Sequence, residues 1–291
     1  MTNIQKQPMT AKSLFSQENV KDKFKEMLGN RATSFITSVL QIVSQNDKLA
    51  NADPQSIMQA AAMAATLDLP LNNNLGFAYI VPYNEKKDGQ YRQVAQFQMG
   101  YKGFIQLAQR SGQFKTISAT PIYEGQLVEQ NPLTGFVFDF TKKTSDKIIG
   151  YASYFALLNG FEKTLYMSNE QLNLHGKRFS QTFKKGFGLW NDDFDGMATK
   201  TVLKLLLSKY APLSVDMQKA VISDQSLINN SETTDITYLD NEELPVDKEL
   251  ERFNLMLQAC KTKEAVDGLA VQWPDMDIQF FLDRKEELKN A

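Results

Sequence analysis

Residues 100–112, GYKGFIQLAQRSG, combine a helical pattern with a polar face that carries only positive charge. At about 100° per residue, the stretch divides into an apolar arc and a polar arc, which is typical of a helix packed on a core. The polar arc holds two cations and two amides: Lys102, Gln106, Gln109 and Arg110. Because an exposed helix commonly pairs Glu with Lys, this face predicts contact with an anionic polymer.

A second stretch, residues 190–214 (WNDDFDGMATKTVLKLLLSKYAPLS), repeats this pattern. Lys200, Thr201 and Lys204 share one face of the predicted helix, and apolar residues cover most of the remainder. Two helices with the same arrangement of cations are expected to line the same groove.

Composition predicts a globular protein of a reducing compartment. The 291 residues are 42% hydrophobic and 11% aromatic, which is sufficient for a sizeable core and one further small domain. No apolar run approaches the roughly 18 residues of a membrane span, and the N-terminal residues lack the apolar segment of a signal peptide. Cys260 is the only cysteine, so an intrachain disulfide is excluded. These features predict a cytoplasmic protein.

The net charge of −2 conceals a strong asymmetry along the chain. Residues 84–212 carry 17 Lys and Arg against 11 Asp and Glu, whereas residues 213–291 carry 8 against 17. A basic middle followed by an acidic tail predicts a polyanion site in one part and a different role in the other.

Several helices are predicted from their periodicity and start signals. Helical spacing of apolar residues extends over residues 17–43. Asp53 followed by Pro54 is a typical helix start, and residues 168–171 (SNEQ) match a capping box. The second of these starts opens a helix that carries Lys177 and Arg178.

The strand signals predict an α+β fold, in which an antiparallel hairpin and meander are flanked by helices. Residues 77–81 and 93–99 form a predicted hairpin that leads directly into the helix at 100–112. Residues 114–167 contain short strands separated by turn residues, which favours a meander.

Three segments are predicted along the chain. Residues 1–221 form the α+β core. Residues 222–245 are polar and acidic without a steady period, which is typical of a linker. Residues 246–291 contain three short helical patterns and form a small helical domain.

The sequence lacks the motifs of several common enzyme classes. There is no phosphate-binding loop and no dinucleotide fingerprint, so no cofactor and no ATP requirement are expected. Asp192, Asp193 and Asp195 could hold magnesium for a nuclease, but they are better explained as charges at a helix N-terminus. His175 could act as a general base, yet no nucleophile motif accompanies it. Neither a metal site nor a catalytic residue is predicted.

Electrostatics and aromatic residues remain as the candidate binding chemistry. A basic groove that follows phosphates, with bases stacked on rings, is how proteins hold single-stranded nucleic acid. The candidate phosphate contacts are Lys102, Arg110, Lys177, Arg178, Lys184, Lys185, Lys200 and Lys204. The candidate stacking residues are Tyr101, Phe179, Phe183 and Trp190, and Gln106, Gln109 and Thr201 are candidate polar contacts. A plain single-strand binder and a magnesium-dependent nuclease stay open as alternatives.

Four segments together resemble the RecT family of phage-type single-strand annealing proteins. They are LDLPLNNNLGFAYIVPYN, AQFQMGYKGFIQLAQRSG, YFALLNGFEKTLYMSNEQ and the stretch at 190–214. The resemblance covers about residues 30–215 and is strongest to homologues from phages and prophages of Gram-positive bacteria such as Listeria.

The resemblance implies an ATP-independent recombinase that coats single-stranded DNA and pairs it with a complementary strand. It implies assembly into rings or helical filaments, and a C-terminal region that binds a 5′→3′ exonuclease or the host single-strand binding protein. The family's helical faces correspond to Lys102, Gln106, Arg110, Lys200 and Lys204. The tail after residue 215 matches the family only loosely.

Overall fold

The computed structural model divides the chain into two compact units, Met1–Asp240 and Asn241–Ala291. It describes residues 9–87, 89–131, 133–230, 235–237, 256–257, 260–272, 282, 284–286 and 288. The α+β class predicted from the sequence is confirmed, because the larger unit combines helices with antiparallel strand pairs.

A helix of small residues lies at the centre of the larger unit. The N-terminal helices are α1 (Ala11–Phe15), α2 (Glu18–Leu28), α3 (Ala32–Ser44), α4 (Asp47–Ala50) and α5 (Pro54–Thr66). The run of Ala and Met in the middle of α5 is almost entirely buried. As predicted, Asp53 is the N-cap of α5, and its carboxylate accepts a hydrogen bond from the Ser56 N–H at 2.9 Å.

The helical pattern over residues 17–43 is interrupted, where the sequence predicted continuity. A 3₁₀ turn at Gly29–Arg31 separates α2 from α3. Gly29 has φ +56, a left-handed conformation that glycine adopts at little cost and that ends a helix.

The predicted hairpin and the helix after it are confirmed. Strand β1 (Ala78–Lys87) pairs antiparallel with β2 (Gln90–Met99), and α6 (Tyr101–Arg110) begins one residue after β2 ends. Phe104, Leu107 and Ala108 turn the apolar arc of α6 into the core.

The strands after α6 are not a simple meander. Strands β3 (Phe114–Tyr123), β6 (Ile148–Leu157) and β7 (Glu162–Ser168) form one antiparallel sheet in the order β3-β6-β7. The shorter strands β4 (Leu127–Asn131) and β5 (Gly135–Phe138) form a separate hairpin between β3 and β6. Strands β3 and β6, of ten residues each, pair with each other across the inserted hairpin, and β6 pairs with β7 on its other side.

Five helices follow in the second half of the larger unit. They are α7 (Asn169–Phe179), α8 (Gln181–Lys184), α9 (Leu189–Asp192), α10 (Phe194–Tyr210) and α11 (Val215–Ser223). Two of them, α7 and α10, pack on this sheet. The predicted capping box is present at the start of α7, where Ser168 and Gln171 exchange hydrogen bonds. In α10, Val202, Leu203 and Leu206 are fully buried.

The first residues of the predicted linker lie in the core instead. Asp224, Ser226 and Ile228 are buried, and Phe97 of β2 donates its N–H to the Ser226 carbonyl at 3.1 Å. Strand β8 (Leu227–Asn230) then pairs with β9 (Asp235–Thr237). A polar sequence without period is typical of a linker, but the Asp224 carboxylate has partners 20 or more residues away, and the Ser226 hydroxyl donates to the Ser223 carbonyl.

In the smaller unit, α12 (Lys263–Gln272) matches one of the three predicted helical patterns. Most residues of the other two patterns lie outside the described residues.

Candidate nucleic-acid interface

The N-terminal ends of α6 and α10 open into one cleft of about 620 Å³. Strand β1 contributes Tyr79 and Pro82, and the loop before it contributes two asparagines, Asn73 and Asn74. The residues from the two helices are Tyr101, Lys102, Gly196, Met197 and Lys200. Three of the predicted DNA contacts, Tyr101, Lys102 and Lys200, are therefore brought together here.

Two glycines allow the loop before β1 to lie directly on α6. A Cβ on Gly100 would stand 2.0 Å from the Gly76 carbonyl oxygen, and a Cβ on Gly103 would stand 2.2 Å from the Phe77 oxygen. Gly100 supplies no side chain to cap α6, so the positive end of the helix dipole faces the cleft. This arrangement favours an anion beside Lys102.

The opposite end of the cleft carries the acidic cluster of the sequence. The Asp193 carboxylate accepts a hydrogen bond from the Gly196 N–H at 3.0 Å and thereby caps α10. Asp195 accepts a hydrogen bond from the Tyr151 hydroxyl. Burial, and secondarily the negative charge of Asp193, raises the pKa of Tyr79 across the cleft. The interpretation of these carboxylates as helix-terminal charges is therefore confirmed for Asp193, and no group of three metal-ligating side chains occurs in the part of the chain that is described.

The cationic face expected on α10 is not open. Lys200 is 7% exposed and its Nζ lies 2.9 Å from Oδ1 of Asp224, while Nζ of Lys204 lies 2.8 Å from Oδ2. Thr201 is also buried, and its hydroxyl donates to the Met197 carbonyl at 2.7 Å. Periodicity correctly grouped these residues on one face, but it assigned that face to solvent.

Asp224 is the residue of this region that sequence reasoning missed. It is completely buried and also accepts a hydrogen bond from the Met99 N–H at 2.8 Å, at the junction of β2 and α6. Burial alone would raise the pKa of Asp224, but Lys200 and Lys204 hold it below its usual value. One carboxylate thus connects α10 to the start of α6.

The far end of α6 faces a second cleft, of about 580 Å³, beside α3. Arg110 lines this cleft, but its guanidinium donates to the carbonyls of Leu67 at 2.8 Å and Asp68 at 2.6 Å. Gln106 lines the same cleft and is half-buried, and its Oε1 has no hydrogen-bond partner among the described residues. Gln109 is exposed. Arg110 therefore binds the carbonyls at the end of α5, which is a structural role.

Four exposed cations that lie close in sequence to the lining of the first cleft are called the cationic strip: Lys177, Arg178, Lys184 and Lys185. They lie at the ends of α7 and α8 and directly after α8, and the next helix, α9, contributes Leu189 to the cleft lining. Within the described residues none of these four side chains pairs with a carboxylate. Lys102 is likewise exposed without such a partner there, so five of the eight predicted phosphate contacts are exposed and not paired with a carboxylate.

A family model described as the RecT family matches residues 33–238, which include both helix termini, the cationic strip and Asp224. The chain belongs to the RecT family. It is 44% identical over 279 residues to "Uncharacterized protein YqaK" of Bacillus subtilis (strain 168), which covers 95% of this chain and 93% of that protein. It is 27% identical over 223 residues to "Protein RecT" of Escherichia coli (strain K12), which covers 73% of this chain and 79% of that protein. The resemblance predicted from the sequence is confirmed.

Trp190 of this RecT-family chain lies in the core, so its prediction as a stacking residue is wrong. It is 5% exposed, and its ring packs against Phe183 at 5.5 Å and Phe194 at 5.7 Å between centroids. Gly176 of α7 provides the space, since a Cβ there would lie 3.1 Å from the indole. The polar residues around Trp190 in sequence suggested exposure, but α9 is only one turn long and turns its apolar side inward.

His175 is unsuited to general-base chemistry at neutral pH in this RecT-family protein. Its ring contacts Phe179 at 4.6 Å between centroids. Burial, and then the positive charges of Lys204, Arg178 and Lys209, lowers the pKa of His175 to about 4. The ring is therefore neutral at pH 7, and it is a weak base.

Among the described residues, no helix has the length and apolar character to cross a membrane.

Proposed function

We propose that this RecT-family protein is an ATP-independent annealing protein that coats single-stranded DNA and pairs it with a complementary strand. The observation that carries the proposal is the cleft at the start of α6. There an uncapped helix terminus, Lys102 and two tyrosines, Tyr79 and Tyr101, face the same space. Phosphate is favoured by the helix terminus and the cation, and bases by the rings.

The cationic strip extends this surface beyond the cleft. Lys177, Arg178, Lys184 and Lys185 supply charges that no carboxylate of the described residues neutralises. These groups recognise the DNA backbone and leave the base edges free, so specificity comes from Watson–Crick pairing with the second strand. Catalytic groups are not required for that reaction, and we propose that the protein is not an enzyme and uses no cofactor. Any effect of Mg²⁺ is exerted through the DNA.

The remaining parts of the proposal follow from membership of the RecT family. The protein assembles into a homo-oligomeric ring or filament in the cytoplasm of a bacterial host. The acidic C-terminal segment, residues 246–291, binds a 5′→3′ exonuclease or the host single-strand binding protein.

A strand-pairing assay tests the proposal. Two complementary oligonucleotides with a donor and an acceptor dye are mixed with the protein in EDTA without ATP, and pairing is followed by energy transfer. Annealing faster than the protein-free reaction is expected. A protein that binds the oligonucleotides but slows pairing would be a plain single-strand binder. Cleavage on addition of Mg²⁺ would instead favour a nuclease.

A charge variant tests whether the cationic strip contacts the DNA phosphates. Lys184→Ala with Lys185→Ala should weaken binding and reduce the slope of log affinity against log salt by roughly 0.7 per lost phosphate contact. Lys12→Ala removes an exposed cation of α1 outside the cleft and the strip, and it should leave the slope unchanged. Equal slopes in both variants would contradict the assignment of the strip.

A further inference from the structure

An exposed phenylalanine stands on a hydrogen-bonded turn between α8 and α9. Phe187 is 55% exposed, although it lies between the buried Trp190 and the half-buried Phe183 of the core. An exposed ring beside cations is the combination on which single-stranded nucleic acid stacks. Phe187 is not among the contacts predicted from the sequence.

The turn fixes the backbone of this residue on both sides. The Phe187 N–H donates to the Thr182 carbonyl at 3.0 Å, and the Asn191 side-chain amide donates to the Phe187 carbonyl at 3.0 Å. The flanking glycines, Gly186 at φ +80 and Gly188 at φ +89, adopt left-handed conformations that other residues resist. The ring is thus presented outward from a backbone that is held in place before any ligand arrives.

The surroundings of the ring match a nucleic-acid strand. Lys184 and Lys185 are exposed just before the turn and have no carboxylate partner among the described residues. Leu189, two residues after the ring, lines the cleft at the start of α6. The turn thus places one ring for a base within two residues of the cleft lining and within three residues of two cations that can hold phosphates.

We infer that Phe187 is a nucleobase-stacking residue for single-stranded DNA, a role that rests on the proposed function. Phe179, the other exposed aromatic residue of this region, already has the Arg178 guanidinium over its ring at 5.3 Å and His175 beside it. Phe187 has no ring contact among the described residues. A flat ring stacks on any base, so the residue contributes affinity without sequence preference.

Four single variants of the full chain test this role. Phe187→Ala removes the ring, Phe187→Leu keeps apolar bulk without a ring, and Phe187→Tyr keeps the ring. Phe140→Ala is the matched control, because Phe140 is 57% exposed and follows β5, away from the cleft lining. Binding is measured by anisotropy of a labelled oligonucleotide, by quenching of 2-aminopurine within it, and as a function of salt.

The ring-less variants, Phe187→Ala and Phe187→Leu, should bind about 5- to 100-fold more weakly at fixed salt, which is the range for one stacked base. Their salt slope should equal that of the wild type, since a neutral ring releases no counterions. Quenching of 2-aminopurine should fall in both, whereas Phe187→Tyr and Phe140→Ala should behave as the wild type.

Three results would overturn the inference. Phe187→Ala could bind as tightly as Phe140→Ala. Phe187→Leu could restore binding, which would show an apolar contact rather than stacking. Phe187→Ala could change the mass of the DNA-free assembly in light scattering, which would assign the ring to a contact with a second copy of the chain. A failure of the proposed function would be visible separately, because the wild-type protein itself would then not bind single strands. The other three results leave binding by the wild-type protein intact and overturn only the role of Phe187.

Discussion

At the scale of single residues, Asp224 shows how a buried charge can organise a binding surface. Its carboxylate accepts from Lys200, Lys204 and the Met99 N–H, and it has no exposed surface. A buried ion pair contributes little net stability against an apolar replacement, but removal of one partner leaves the others uncompensated. The cluster thus fixes the position of α10 relative to the start of α6.

Asp224→Ala is expected to lower the free energy of unfolding by about 3–5 kcal/mol, because two lysines would remain in a buried site without a counter-charge. Urea unfolding followed by circular dichroism measures the effect. Asp146→Ala is the control, since the Asp146 side chain is 97% exposed and its ion pair with Lys143, at 2.6 Å, is weakened by solvent screening. Similar losses in the two variants would contradict a special role for Asp224.

At the scale of elements, the sequence predicts those features that depend on contacts between residues close together in the chain, such as helix starts and the hairpin. Asp53 and Ser168 mark helix starts because their side chains satisfy N–H groups three residues away. The hairpin before α6 is found because its strands adjoin in sequence. The pairing of β3 with β6 and the burial of Lys200 were missed, because both depend on partners that lie 20 or more residues away.

For the candidate site, the sequence predicts which cations lie near each other but not which of them are paired. Periodicity brought Lys102 and Lys200 to one cleft, as expected of two helices that share a groove. It could not distinguish an exposed cation from a paired one, because α10 shows the same spacing in either case. The exposed cations Lys177, Lys184 and Lys185 are predicted from the basic stretch in which they lie, and no carboxylate of the described residues pairs with them.

The contact between α6 and the loop before β1 depends on glycine. Gly103→Ala is expected to destabilise the larger unit, because its Cβ would meet the Phe77 carbonyl oxygen at 2.2 Å and force α6 away from the loop. The thermal midpoint of the larger unit should fall, and binding of single strands should weaken, since the start of α6 forms the cleft.

Gly268→Ala is the matched control for that substitution. Gly268 also lies inside a helix, α12, but nothing stands within 4 Å of its added Cβ. Helix propensity alone then favours the alanine by up to about 1 kcal/mol. An unchanged midpoint in Gly103→Ala, equal to that of Gly268→Ala, would show that the loop adapts and that the close approach is not required.

At the scale of the whole molecule, the larger unit ends later than its composition suggests. The larger unit extends to Asp240, and residues 223–228 provide Asp224 and buried side chains against β2 and α5. The acidic tail that gives the chain its negative charge therefore contributes one of its acids to the core. A core that ends at residue 221, as charge and polarity predict, lacks Asp224 but retains its partners Lys200 and Lys204.

Two truncations distinguish these boundaries. A chain of residues 1–240 should melt near the temperature of the larger unit in the full protein and should anneal complementary strands. A chain of residues 1–221 should be largely unfolded, because it loses Asp224, the Ser226 pairing with Phe97 and the buried Ile228. Circular dichroism and the strand-pairing assay measure both properties.

Replacing the two lysines identifies the cause of that loss. Lys200→Met with Lys204→Met in residues 1–221 removes the uncompensated charges, and methionine is close to lysine in size and flexibility. Part of the lost stability should return in this variant, and the remaining deficit reflects the missing apolar contacts. If residues 1–221 fold as well as residues 1–240, the segment at 223–228 is dispensable and Asp224 does not hold the cleft together. If the short chain unfolds but the methionines restore nothing, burial of residues 226–228 rather than charge fixes the boundary.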